Sequence, residues 1–202
     1  MFTSSEYFPS EVPAGKSGGW VIEKISIPTR PYDPTKDPRP DCFKFRPGVY
    51  TCLRRDQTQF MTDLYDEWWT QREAMAEARK RGGNILITGL GLGLVAEAIL
   101  RDKNTAVRHI TIVEAASDVI ALIGLYLQQK YPGRITIVPA DAFTWTPERG
   151  EHYTVGWHDI WPDPHAASNI PEMQLLEDRY RPWCDWQGCW PQAYQLALQA
   201  DS

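Results

Sequence analysis

The chain has 202 residues, enough for one domain with an appendage. Its 21 Lys and Arg against 26 Asp and Glu give a net charge of −5 with no basic block, which disfavours nucleic acid as a main partner, because phosphate binding needs clustered cations. The N-terminus lacks the charged and apolar regions of a signal peptide, and the longest apolar run, 119–127, is too short for a bilayer, so a cytoplasmic protein without membrane contact is expected.

In chain order, residues 1–18 are polar and carry Gly, Ser and Pro, which predicts a mobile arm. Trp20–Ile27 alternates apolar and polar side chains and predicts a strand with one solvated face. The segment 28–47 holds Pro28, Pro31, Pro34, Pro38, Pro40 and Pro47, a density that excludes helix and sheet interior. A second strand is expected at 49–53, paired with the first. Residues 1–57 thus form an arm and a small β appendage, ahead of a Rossmann-like domain over 58–202. A long helix is predicted over 62–81, with Thr62 as N-cap and Gly82-Gly83 as its end. Arg79, Lys80 and Arg81 in its last turn complement the helix dipole.

Strands and helices then alternate. Strands are expected at 85–88, 109–114, 134–139 and 153–160, with helices at Leu94–Arg101 and 117–130 between the first three. Ser117 is the expected N-cap of the second helix, and Pro132-Gly133 its stop. Apolar runs divided by amphipathic helices indicate an α/β fold with a parallel sheet. Ligands of such sheets bind beyond the carboxyl ends of the strands, where the tips are Thr88, Glu114, Asp141 and Asp159. The tail predicts a helix at 171–180, an irregular aromatic stretch to 191 and a short helix at 191–200.

The densest signal is the run Ile85-Leu86-Ile87-Thr88 followed by Gly89-Leu90-Gly91-Leu92-Gly93 and an apolar helix. A turn with three glycines lets the backbone take positive φ and come close to a ligand. A dinucleotide fingerprint needs a small residue at position 94, and Leu94 stands there, so the spacing suits a nucleoside better than a pyrophosphate. About twenty residues on, Glu114 ends the next strand, placed to accept hydrogen bonds from a ribose.

These residues together resemble the class I S-adenosylmethionine-dependent methyltransferase fold, and within it the spermidine synthase-like branch, over about residues 60 to 165. The resemblance implies S-adenosylmethionine as cofactor. It assigns the turn Gly89, Leu90, Gly91 and Gly93 and the ribose ligand Glu114. Asp141 and Ala142 are similar to the element that meets the adenine, and Asp159 matches the carboxylate beside the transferred group. Two departures stand out. Ile87 and Leu92 occupy positions where relatives carry the carboxylates that hold the far end of the ligand. About forty residues follow the fourth strand, too few for the usual strands five to seven, so the expected sheet is abbreviated at its C-terminus. A missing substrate lobe would come from another subunit, as in a homodimer.

Beside Asp159, expected as the catalytic base, Trp161 and Pro162 offer an apolar wall around a sulfonium, which an indole face attracts. Asp159, Asp163 and His165 also permit a metal site, which two prolines in the loop disfavour. Cys42, Cys52, Cys184 and Cys189 lack zinc-knuckle spacing and are expected as free thiols. The resulting expectation is an S-adenosylmethionine-dependent methyltransferase with an unidentified small-molecule or protein acceptor. The alternatives are an aminopropyltransferase using Asp63, Asp66 and Glu67 as an acidic trough, and a non-catalytic scaffold that retains the fold.

Overall fold

The computed structural model describes residues 6–28, 47–162 and 169–192. The described residues form two sheets. The first is antiparallel, in the order β1 (Gly15–Ser17), β2 (Trp20–Ile27), β3 (Gly48–Arg55), β4 (Thr58–Thr62). The expected pairing of the two N-terminal strands is present, with Trp20 opposite Arg55 and Ile27 opposite Gly48.

The second sheet has five strands, all parallel to their neighbours. Its order is β7 (Ile135–Pro139), β6 (Val107–Glu114), β5 (Gly83–Thr88), β8 (Val155–His158), β9 (Gln187–Cys189). The chain therefore has the mixed α/β, Rossmann-like architecture expected. Strand order reverses at β5, which has β6 on one side and β8 on the other. A crevice at such a switch point is where open α/β sheets bind ligands.

Side chains alternate across the sheet, so β5 and β6 each feed two cores. Ile85, Ile87, Ile110 and Ile112 face one core, which the helices α2 (Arg72–Arg81), α3 (Leu94–Arg101) and α5 (Leu125–Lys130) help to cover. Leu86 and Val113 face the other, with Met173, Leu176 and Tyr180 of α6 (Ile170–Tyr180). Trp20, Ile22 and Leu53 extend the first core into the antiparallel sheet, so the appendage is welded to the Rossmann-like part by apolar burial.

The structure corrects four expectations. Residues 6–18 do not form a mobile arm: β1 pairs with β2, Val12 is buried, and the Ser10 amide donates to Asp63 Oδ2 at 2.6 Å. Thr62 is not an N-cap. It ends β4, and the predicted long helix is two, α1 (Tyr65–Thr70) and α2, broken at Gln71. Ser117 opens α4 (Ser117–Val119) rather than capping it, and a π-helical turn over Ile120–Gly124 joins α4 to α5. The sheet does not stop at the fourth strand: β9 adds a fifth, hidden in the sequence because it is three residues long with Gly188 at its centre. The helix expected at 191–200 lies largely outside the described residues. No helix among the described residues is long and apolar enough to cross a membrane.

Candidate functional site

The glycine turn leaves β5 and starts α3 at Leu94, as the sequence predicts. Its shape is fixed by protein contacts. A Cβ on Gly89 would lie 1.9 Å from the Asp159 carbonyl oxygen, and Gly89 has φ +91°. A Cβ on Gly91 would meet Met61 Sδ, and one on Gly93 would meet Leu127. The glycines let β4, β8 and α5 close on the turn. Glu114 holds the same turn from the next strand. Its Oε2 accepts the Leu90 N–H at 2.8 Å and its Oε1 accepts the Ala116 N–H at 2.7 Å.

Beyond the carboxyl ends of β5 to β8 lies a cavity of about 240 Å³. Gly89, Gly91, Glu114, Asp141, Ala142 and Trp161 all border it, and so does Asp159. Leu90 and Gly93 do not; they face a second, much smaller void beneath the turn. Asp141 Oδ1 accepts the Phe143 N–H at 2.8 Å, which sets the loop after β7. The Trp161 indole donates to Glu172 of α6 at 2.8 Å, fixing its ring at the cavity wall.

Among the described residues four carboxyl groups border the cavity: Glu67, Glu114, Asp141 and Asp159. Among the described residues no Lys, Arg or His borders it. Burial pushes Asp159 up to about 7, against a hydrogen bond from Gln71 that holds it down. Burial pushes Glu67 up to about 8, against hydrogen bonds from Thr62, and the Asp159 charge raises it further. The two groups are thus poised to hold or release protons near neutrality, as acid–base residues do. Asp63, by contrast, takes the Ser10 and Thr51 amides and pins the N-terminal segment away from the cavity.

Several residues at the site escaped sequence reading. Met61, Phe60 and Leu53 reach the cavity from the appendage, and Trp190 reaches it from beyond β9. No local pattern announces which appendage residue will meet the turn. Of the residues expected as an acidic trough, Glu67 borders the cavity and Asp63 and Asp66 do not; Gln71, four residues after Glu67, was not expected there. His158 is buried beside Asp159, bonded to Thr88 and Gln187, and burial holds it down at about 4, so it stays neutral. His109 and His152 make local contacts on the surface.

Among the described residues no cluster of His, Cys, Asp and Glu is set to hold a metal, and Asp163 and His165 lie outside them. Cys52, Cys184 and Cys189 are free thiols, and burial raises all three, so they are poor nucleophiles. Cys42 lies outside the described residues.

No protein-family model matches the chain. A stretch of 92 residues is 37% identical to polyamine aminopropyltransferase 1 of Streptomyces coelicolor, covering 42% of this chain and 17% of that enzyme. Among solved structures, spermidine synthase from Thermotoga maritima aligns over 72% of this chain and 46% of its own, with TM-score 0.44 and 19% identity. The plantazolicin methyltransferase BpumL, solved with a monoazolic desmethylPZN analogue and S-adenosylhomocysteine, aligns over 58% of this chain and 42% of its own, with TM-score 0.40 and 14% identity. The chain thus spans under half of these two structures and under a fifth of the curated relative.

Proposed function

We propose that this protein is a transferase that binds S-adenosylmethionine in the cavity at the switch point and passes its methyl group to an amine. The observation that carries the reading is the convergence of Glu114, Asp141 and Asp159 on one cavity from the ends of three parallel strands. The donor set suits an adenosyl group. Each Glu114 oxygen takes one backbone N–H, and a carboxylate oxygen has a second acceptor position for a ribose hydroxyl. One Asp141 oxygen is used by the loop, which leaves the other for an exocyclic amine. Val113, Val119, Ala140 and Ala142 supply apolar walls for a base. The volume is just under the ~300–1,000 Å³ usual for small-molecule sites, which suits a snug nucleoside.

When bound, the cofactor supplies an electron-poor methyl carbon on a sulfonium. The protein's share is to hold the acceptor, remove its proton and keep water out. Ionised Asp159 attracts an ammonium and accepts its proton, which exposes the nitrogen lone pair, while Glu67 beside it stays largely protonated at neutral pH. Trp161 and Trp190 exclude solvent from that part of the cavity. A second reading, aminopropyl transfer from decarboxylated S-adenosylmethionine, is favoured because the ionisable groups bordering the cavity among the described residues are all acidic. A donor without a carboxylate meets no like-charge repulsion there.

The test is Asp159→Asn, followed by release of S-adenosylhomocysteine, or of 5′-methylthioadenosine for aminopropyl transfer, over a panel of amines. Cofactor affinity is expected to stay within a few-fold while turnover falls by about 10²–10⁴. Full turnover in the variant would remove Asp159 as the base. Absence of adenosyl binding in the wild type would favour the scaffold alternative.

A further inference from the structure

We infer that Gln71 is a positioning residue for Asp159, its amide held in one orientation by the indole of Trp157. The inference rests on the transferase reading only for its catalytic meaning. Gln71 sits at the break between α1 and α2 and is almost fully buried. Its Oε1 lies 2.8 Å from Trp157 Nε1, and its Nε2 lies 2.8 Å from Asp159 Oδ2. An indole N–H only donates. The atom of Gln71 that faces Trp157 must therefore be the carbonyl oxygen, and the atom that faces Asp159 must be the amide nitrogen. A flipped amide would set N–H against N–H on one side and carbonyl oxygen against carboxylate on the other. Trp157 is buried in the core and stacked on Trp186, with ring planes 3° apart, so the lock is anchored in the sheet rather than in a loop.

The consequence is directional. Gln71 takes Oδ2 of Asp159, which leaves Oδ1 for an acceptor in the cavity that Asp159 borders. A donor on the charged form also keeps the buried carboxyl from rising further. The lead-in helices thereby set the state of a group at the tip of β8. Other groups bear on Asp159: Glu67 of α1, Cys189 of β9, and Glu114 and Asp141 across the cavity. All of them are left in place by the substitutions below.

The experiment is a carbon-13 titration of the Asp159 carboxyl in the full chain, with the resonance assigned by its loss in Asp159→Asn. The wild-type midpoint is expected near 7. Gln71→Met removes the donor. Trp157→Phe removes the indole donor, with some packing on Trp186, and leaves both Gln71 and Asp159 in the chain. Both are expected to raise the midpoint by about one unit, a tenfold gain in proton affinity. Either variant alone suffices if the other does not fold. A midpoint unchanged in the folded variant would overturn the proposal, because a residue that merely packs has no reason to move that titration. The readout needs no cofactor or acceptor, so it stands or falls apart from the transferase reading.

Discussion

Gly89 carries no side chain because the Asp159 carbonyl occupies the space a Cβ would fill, and Gly91 carries none because Met61 lies over it. The two obstacles differ in kind. Backbone at β8 cannot move without breaking the sheet, whereas Met61 is the flexible end of a side chain. Gly89→Ala is therefore expected to destabilise the fold by about 3 kcal/mol or more, and Gly91→Ala by clearly less, in urea denaturation. Equal losses would mean that positive φ alone, shared by both, sets the cost. The spacing G-x-G-x-G and the acidic Glu114 were legible in the sequence because both follow from local chain geometry. The cause of the spacing was not, because Met61, Leu127 and Asp159 come from distant segments.

At the scale of elements, the parallel sheet was read nearly strand for strand, since buried strands between amphipathic helices carry strong periodic signals. The miss at β4 and α1 has a clear origin. Residues 58–62 alternate too briefly to declare a strand, and Trp68, Trp69, Met75 and Ala78 keep helical spacing across the break at Gln71. What holds the N-terminal segment was equally hidden. Asp63 is fully buried and accepts the Ser10 amide at 2.6 Å and the Thr51 amide at 2.7 Å, tying that segment to β3. Asp63→Ala leaves two buried amides without partners, at about 1–3 kcal/mol each. A loss of about 2–5 kcal/mol is expected by urea denaturation, with faster amide exchange at Ser10 and Thr51. A loss below 1 kcal/mol would show that the segment is held by packing alone.

At the scale of the whole molecule, the two sheets meet around an acidic cavity, and that arrangement makes stability depend on pH. Asp159 at about 7 and Glu67 at about 8 bind protons more tightly in the folded state than in the unfolded chain, where carboxyls titrate near 4. Between pH ~4 and 8 the folded state holds more protons, so stability falls as pH rises through that window and then levels. His158, held down at about 4, acts oppositely: it loses stability as pH falls below about 6.5. The melting temperature is expected to drop between pH 6.5 and 8, and the drop to shrink in Glu67→Gln. A flat profile in the wild type would contradict the raised carboxyls.

On the proposed reading this cavity is expected to bind an adenosyl sulfonium through Glu114. Calorimetric titration of the wild type and Glu114→Gln with S-adenosylmethionine and with its decarboxylated form tests it most directly. Saturable binding of at least one ligand by the wild type is expected, weakened about tenfold or more in Glu114→Gln, the worth of hydrogen bonds to a charged group. No binding of either ligand by a folded wild type, or equal affinity in both proteins, would contradict it.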